Sequence, residues 1–332
     1  MVEFNLMPNY IKKYYSCDAL TNQQWQDKRV PNVILGSFYL IFGVVGLLLY
    51  VPILTVLTKK EIRKNNVYKL IISITIADTI SLWCSSILCG YWQIRGSFYC
   101  TDPITIYAMA LISEAAWAAN SVLGVVLALN RCLDAFNAKW SNCLFKGNKI
   151  YLWIAIAAAY AIFLGFFTPP MLFTSKRQTV FFDPFVGIDN LEVPFRNHYE
   201  NWGSIINNII LFVTLPILYG LFCIMMMHKS NTNSARLTKM QTSFLIQSSL
   251  LCFVTFIVTA IYILQQFVII NQAFIVIGHF AWIISSSTGA FTYLSFNRTI
   301  RKHIINDFKL VFVKNIFSSK VIPALSVENG RT

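Results

Sequence analysis

The chain has 332 residues, of which 56% are hydrophobic and only 12% are charged, and its formal net charge is +13 at pH 7. A soluble domain carries about 25% charged residues, so this composition excludes an ordinary soluble domain and indicates that lipid covers much of the surface. The basic residues lie in short clusters between apolar runs, a pattern typical of membrane topology and not of a nucleic-acid partner.

The predicted elements begin with a polar amino-terminal segment, residues 1–32, which lacks the apolar core of a cleavable signal peptide. Seven apolar segments follow, each near the roughly 20 residues that a membrane helix needs. The last two share a run, residues 240–297, that contains no Asp, Glu, Lys or Arg. We predict an all-α membrane protein, a seven-helix transmembrane bundle, with helices at about residues 33–57, 70–94, 103–129, 150–173, 204–227, 240–265 and 273–296.

Residues 297–332 form the last predicted region, an amphipathic helix followed by a cytoplasmic tail. Apolar residues recur there at helical spacing among Lys and Arg, so we expect the helix to lie along the inner leaflet. These apolar residues are Ile300, Ile304, Phe308, Val311 and Phe312.

The distribution of Lys and Arg predicts the orientation. The segments 59–69, 130–149, 228–239 and 297–332 hold 19 of the 27 basic residues, and the segments on the other side of the bilayer hold 8. The amino terminus is therefore predicted outside the cell and the carboxyl terminus in the cytoplasm. The single Asn-x-Ser/Thr sequence begins at Asn297, and a cytoplasmic position predicts that it carries no glycan.

A candidate ligand site follows from Glu114, which lies inside the third predicted helix. It precedes Arg131 by 17 residues, about 25 Å along a helix, in the outer half of the bilayer. Trp117, His279 and Trp282 are predicted at similar depth, and together these four side chains suit a small, basic or hydrogen-bond-donating molecule. The alternative is that Glu114 pairs with a polar neighbour such as His279 in a packed interior.

Other chemistries find no support in the sequence. No CxxC pair or Cys/His cluster with zinc spacing occurs, so neither a metal nor a cofactor is expected. A retinal Schiff base needs a lysine in the bundle, and none occurs between Lys239 and Lys302. The sequence contains no nucleophile–base pair with a spacing that would indicate an enzyme. A small-solute transporter or channel stays open as the alternative function, although no internal repeat is visible.

Several motifs resemble those of G-protein-coupled receptors. Arg131, in the triplet NRC, matches the arginine that ends the third helix, and "ITIAD" matches the signature of the second helix with its aspartate at Asp78. In "GAFTYLSFNRTIR", Tyr293 matches the end of the seventh helix, whereas Gly289 replaces the usual asparagine. The resemblance implies that Arg131 and Tyr293 serve coupling to a heterotrimeric G protein.

The segment "YYSC" with a tryptophan eight residues after its cysteine, "PNVILGSFYLIFGVVGLLLYVPIL" and "LALNRC" are similar to nematode serpentine chemoreceptors of class T (Srt). This resemblance implies a chemosensory receptor for a small-molecule ligand in the plasma membrane of sensory neurons, in their cilia.

The receptor resemblance extends to a polar core and a disulfide. The positions that match the receptor sodium pocket are Asp78, Asn120, Ser285 and Ser286. The alternative is an aspartate hydrogen-bonded within the protein and binding no ion. Related receptors tie the third helix to the loop between the fourth and fifth helices, but residues 174–203 contain no cysteine. Cys17 and Cys100 are the two cysteines predicted to lie clearly in the oxidising space outside the cell, so we expect a bond between them, with Cys89 as the rival partner and two free thiols as the other alternative.

Overall fold

The computed structural model describes residues 4–188, 196–232, 239–267 and 271–309. Among these residues, seven helices are long and apolar enough to cross a membrane, and we call them spans 1 to 7. The predicted seven-helix bundle is confirmed. The spans run over Val33–Leu57, Asn66–Arg95, Pro103–Phe136, Lys149–Phe167, Trp202–Thr232, Lys239–Phe267 and Gln272–Phe296.

The spans pack as a closed ring that runs through span 3. Span 3 contacts spans 2, 4 and 5; span 5 contacts span 6, span 6 contacts span 7, and span 7 returns to spans 1 and 2. Because span 3 is the central helix, its polar side chains lie in the interior, where they can meet polar groups from several other spans. We call the two ends of the bundle the disulfide end, which carries the Cys17–Cys100 bond, and the Arg131 end.

Side-chain caps fix where several spans begin. The side chains of Asn32, Asn65 and Asn271 each accept a hydrogen bond from a backbone N–H in the first turn of spans 1, 2 and 7, which satisfies a donor that the helix itself cannot. Asp102 precedes span 3 but makes no such cap. Its carboxylate instead lies 3.5 Å from the guanidinium of Arg29.

Span 4 ends at Phe167 and not at the predicted residue 173. Pro169 and Pro170 follow Thr168; a proline lacks the backbone N–H and also disfavours helical geometry at the residue before it, so the helix stops there. The chain then forms an antiparallel hairpin of β1, Leu172–Thr174, and β2, Thr179–Phe181. Apolar residues that look like the end of a membrane helix therefore belong to a loop that covers the bundle.

Span 2 contains a π-helical turn, Trp83–Leu88, between the α-helical parts Asn66–Leu82 and Cys89–Arg95. Such widened turns are frequent at functional sites because they redirect the side chains and carbonyl groups around them. This one packs beside span 7, at the level of His279.

Short helices cover both ends of the bundle. At the disulfide end they are Pro8–Tyr14, Asn22–Asp27, and the 3₁₀ turns Tyr99–Thr101 and Arg196–Tyr199; at the Arg131 end they are Lys60–Arg63 and Ala138–Phe145.

Residues 298–309 are helical, in the region where the amphipathic helix was predicted. Ile300 is buried and Phe308 is 66% exposed, and Lys59 at the end of span 1 forms an ion pair with Asp307. Val311 and Phe312 lie outside the described residues.

Candidate ligand-binding site and polar core

An internal cavity lies between spans 3, 5, 6 and 7, in the half of the bundle nearer the disulfide end. We call it the upper cavity. None of the described residues that line it is basic. They are Ser113, Glu114, Trp117, Met171, Val180, Ser204, Asn208, Val258, Tyr262 and Trp282.

The β hairpin closes this cavity at the disulfide end. Met171 and Val180 form part of the cavity wall, and the hairpin is itself fastened to the loop between spans 2 and 3. Phe98 pairs with Thr174 in a β bridge, and the backbone N–H of Ser175 donates to the Ser97 carbonyl at 3.1 Å. The hairpin is therefore a fixed roof, held by backbone hydrogen bonds.

Glu114 is the acidic residue of the upper cavity, and the structure brings Trp117 and Trp282 to the same cavity, as predicted from their depth. The side chain of Glu114 is only 4% exposed. The side chain of Ser204 hydrogen-bonds to the carboxyl group, but the oxygen Oε1 is buried and has no hydrogen-bond partner. A buried polar atom without a partner is costly, and Oε1 is the one carboxyl oxygen among the several buried polar atoms of the described residues that lack a partner.

The two indole N–H groups of the cavity are bonded to neighbouring spans. Nε1 of Trp117 donates to Oδ1 of Asn208 at 2.9 Å, and Nε1 of Trp282 donates to Oγ of Ser81 at 3.0 Å. Because both N–H groups are engaged, the rings are held in place and the tryptophans offer the cavity carbon surface.

His279 does not line the upper cavity. It is completely buried, with Nδ1 at 2.8 Å from the Thr179 hydroxyl and Nε2 at 2.8 Å from the Ser85 carbonyl oxygen. Since a carbonyl can only accept, this geometry assigns the proton to Nε2 and makes Nδ1 the acceptor. The histidine thus joins span 7 to the hairpin and to the π turn, and neither the predicted ligand contact nor the alternative pairing with Glu114 is present.

A second cavity of about 690 Å³ lies deeper, and Asp78, Asn120, Ser285 and Ser286 all line it together with Tyr293. We call it the lower cavity. Oδ1 of Asp78 accepts a hydrogen bond from Nδ2 of Asn120 at 2.8 Å. Oδ2 accepts one from the Tyr50 hydroxyl at 2.9 Å, and that hydroxyl also lies 2.9 Å from the Ser286 carbonyl oxygen.

Gly289 makes room for this contact. A Cβ at position 289 would lie 2.7 Å from the Tyr50 hydroxyl oxygen and 2.9 Å from Oδ2 of Asp78, which is closer than real side chains allow. The glycine that replaces the usual receptor asparagine therefore gives the Tyr50 hydroxyl access to the aspartate, so a side chain of span 1 bonds this carboxyl group.

The two cavities are adjacent and share residues. Trp117 lines both. In addition, Ser81, which accepts from Trp282, lies with its Oγ 3.0 Å from Oγ of Ser286. A line of hydrogen bonds thus leads from a wall of the upper cavity to the Asp78 centre.

Arg131 lies near the predicted end of span 3. It lines an open groove together with Glu61, Asp134 and Lys146, among other residues. Its guanidinium is within electrostatic range of Tyr293. The structure therefore brings the two predicted coupling residues near one another at this end of the bundle.

The amino-terminal segment covers the disulfide end, where the sulfurs of Cys17 and Cys100 are bonded and their Cα atoms are 5.6 Å apart. Tyr99 donates a hydrogen bond to the Tyr15 carbonyl oxygen at 3.0 Å, and Trp25 donates to that of Cys17 at 2.8 Å. Burial raises the pKa of the Tyr15 hydroxyl well above its ordinary value, which keeps it neutral within this cover.

Sequence reasoning missed several residues of the upper cavity, among them Ser204, Asn208 and Tyr262. The adjacent amides Asn207 and Asn208 were a usable signal, because polar side chains inside a membrane helix generally face the bundle interior. Met171 and Val180 gave no such signal, since nothing in their chemistry distinguishes a buried hairpin from the end of a span.

Comparison with known proteins agrees with this architecture. The family described as serpentine type 7TM GPCR chemoreceptor Srt matches residues 1–319. Serpentine receptor class T-55 of Caenorhabditis elegans is 24% identical over 296 residues, which cover 88% of this chain and 79% of the relative. The chain therefore belongs to the Srt family of serpentine chemoreceptors, and it is a multi-pass membrane protein and a chemosensory G-protein-coupled receptor.

Proposed function

We propose that the upper cavity is the ligand site of this receptor, with Glu114, Trp117 and Trp282 in contact with the ligand. The observation that carries this proposal is a mainly apolar cavity that contains a buried carboxyl oxygen without a partner. Ligand pockets generally combine apolar walls with a few polar groups of this kind. In this proposal His279 supports the roof and does not touch the ligand.

A pair of substitutions on span 6 tests the site. Val258 lines the cavity and is 1% exposed, whereas the adjacent Ile257 is 37% exposed on the outer surface. Val258→Trp should fill the cavity and abolish the response of a G-protein reporter to any activating ligand, and Ile257→Trp should leave it intact. An unchanged potency in a normally expressed Val258→Trp receptor would place the ligand elsewhere.

The proposed signal passes from the upper to the lower cavity through span 2. The bonds from Trp282 to Ser81 and from Ser81 to Ser286 support this route, although proximity alone does not demonstrate coupling. Ser81→Ala should retain ligand affinity and lower the maximal G-protein response. Ser73→Ala is the matched control, because the hydroxyl of Ser73 bonds only within its own helix, to the Lys69 carbonyl.

The G protein is proposed to bind at the Arg131 end, with Arg131 and Tyr293 as coupling residues. A ligand that favours one of two bundle states would expose this end. Arg131→Ala should keep surface expression near normal and abolish activation, whereas Arg63→Ala, which alters an exposed cation at the same end, should signal. Normal signalling by Arg131→Ala would reduce the arginine to a topology marker.

For the lower cavity we propose a polar core held by protein groups and not a sodium site. The support is that both carboxyl oxygens of Asp78 already have a donor, from Tyr50 and from Asn120. Basal and ligand-stimulated reporter activity should then be the same when sodium is replaced by N-methylglucamine. A shift in activity with sodium would restore the ion site.

The protein is proposed to lie in the plasma membrane of sensory neurons, in their cilia, with its amino terminus outside the cell. Asn297 cannot test this, because it is 3% exposed and its Oδ1 accepts from the backbone N–H of Ile300; it would escape glycosylation on either side. New N-glycosylation sites can test the orientation. The double variant Asp18→Asn, Leu20→Thr should show a mobility shift on N-glycosidase treatment, and Leu144→Thr, which completes a site at Asn142, should show none.

A further inference from the structure

The charge balance of the upper cavity is incomplete within the protein. A carboxylate in a membrane interior is costly unless an opposite charge or hydrogen bonds compensate it. Among the described residues the two ion pairs are Arg29–Asp102 and Lys59–Asp307, and neither involves Glu114. A protonated carboxyl group could place its O–H against Ser204 on the other oxygen, but Oε1 would still have no partner.

The histidine at similar depth cannot supply the charge. Both ring nitrogens of His279 are bonded, one to the hydroxyl of Thr179 and one to the carbonyl of Ser85. Protonation would place a second N–H against the hydroxyl and would leave the charge outside the cavity. The described residues therefore supply no group that completes Glu114, and a ligand can supply it.

The remaining walls define what that ligand is like. Trp117, Tyr262 and Trp282 contribute aromatic surface, and Met171, Val180 and Val258 contribute aliphatic surface. Aromatic faces also attract cations. Ten described residues line this cavity, which suits a small molecule and not a peptide.

We propose that the upper cavity recognises a compact monoamine, whose ammonium group donates a hydrogen bond to Oε1 of Glu114 while its hydrocarbon part packs against the aromatic walls. This rests on the proposed ligand site and names the chemical class it accepts. Anions are disfavoured by the carboxylate, and sugars or other polyols because the side chains of Ser113, Ser204 and Asn208 are already hydrogen-bonded within the protein.

The experiment uses matched pairs of amines and alcohols on the full chain in lipid nanodiscs. Benzylamine, hexylamine and cyclohexylmethylamine are each compared with the corresponding alcohol, and binding is measured by the quenching of tryptophan fluorescence and by reporter activation in cells. Each amine should bind about 10- to 100-fold more tightly than its alcohol, the range expected for a hydrogen bond to a charged group.

Glu114→Gln keeps the side-chain volume and removes the charge, so it should bring the affinity of the amines down to that of the alcohols. The control is Glu200→Gln, an exposed acid at the disulfide end, which should preserve the preference for amines. The comparison of amine with alcohol on the native chain needs no variant, so it tests the proposal even if Glu114→Gln folds poorly.

The outcomes separate this inference from the proposed ligand site. Equal affinity for amines and alcohols, or an amine preference that survives Glu114→Gln, overturns the monoamine proposal. If neutral ligands then activate the receptor and Val258→Trp abolishes their response, the ligand site itself stands. If amines bind but Val258→Trp leaves their affinity unchanged, both are overturned.

Discussion

Asp78 and Glu114 are two carboxyl groups buried in the same membrane bundle, and they differ in how completely the protein satisfies them. Asp78 accepts hydrogen bonds on both oxygens, from Tyr50 and from Asn120. Glu114 is equally buried but keeps one oxygen without a partner. A buried charge in a membrane indicates function in general, and this pair shows that the neighbouring groups distinguish a structural role from a binding role.

The two carboxyl groups also differ in which parts of the chain surround them. Spans 1, 2, 3 and 7 supply the hydrogen bonds of the lower cavity. The upper cavity needs the hairpin, spans 5 and 6 and, through the covered loop between spans 2 and 3, the amino-terminal segment. We therefore expect the lower core to be stable and the upper cavity to depend on contacts that are easier to break.

The largest expected effect comes from the disulfide that holds the cover of the disulfide end. Cys17 and Cys100 are 83 residues apart, so chain entropy predicts a loss of roughly 4 kcal/mol in the free energy of unfolding for Cys17→Ser. Cys143→Ser, at an exposed free thiol, is the control. The thermal midpoint in detergent measures the loss; a midpoint equal to that of the control would mean that the cover is held without the bond.

Removal of each carboxyl group tests the comparison directly. Asp78→Ala leaves Nδ2 of Asn120 without its acceptor and should lower the free energy of unfolding by about 1–3 kcal/mol. Glu114→Ala removes an oxygen that has no partner and leaves only Ser204 without its bond, so the midpoint should fall less than in Asp78→Ala while the response to ligand is lost. If Glu114→Ala is the more destabilising variant, the distinction between the two carboxyl groups fails.

Two glycines of the membrane interior give a matched pair. An alanine at Gly289 would approach the Tyr50 hydroxyl oxygen and Asp78, whereas nothing lies within 4 Å of a Cβ at Gly124. Gly289→Ala should cost about 1–3 kcal/mol through overpacking. Gly124→Ala should gain about 0.5–1 kcal/mol from helix propensity. Equal thermal midpoints for the two variants would show that the Tyr50–Asp78 contact does not need the glycine.

The sequence predicts the spans well because each is a long apolar segment bounded by polar or basic residues, and Asp78 and Glu114 could be placed by counting along helices. Counting could not show which groups bond to these side chains. Tyr50 lies 28 residues from Asp78 and on another helix, so its contact depends on how spans 1, 2 and 7 pack.

The hairpin was harder still to predict. Its residues are apolar and follow span 4 without a charged break, so hydropathy alone extends the helix through residues 168–173, and only Pro169 and Pro170 argue against it. His279 was misplaced for a related reason: helical rise predicts its depth, but not that β2 and the π turn of span 2 enclose both ring nitrogens.

The smallest effect is expected at Thr179, the residue through which the roof is attached to span 7. Thr179→Val keeps the shape of the side chain but removes the donor to Nδ1 of His279, which should cost about 1 kcal/mol. Thr179→Ser restores the hydroxyl and should recover the thermal midpoint. Agonist potency should fall in the valine variant alone, because the hairpin supplies Val180 to the upper cavity.

Combined with Gly289→Ala, the same substitution tests whether the two regions are independent. Thr179 belongs to the roof of the upper cavity and Gly289 to the Tyr50–Asp78 contact, and they share no hydrogen-bond partner among the described residues. Substitutions without shared partners add to within about 0.5 kcal/mol, so the double variant should show the sum of the two losses. A larger deviation would mean that the roof and the polar core form one cooperative unit, in which a change at the hairpin reaches Asp78 through packing as well as through Ser81.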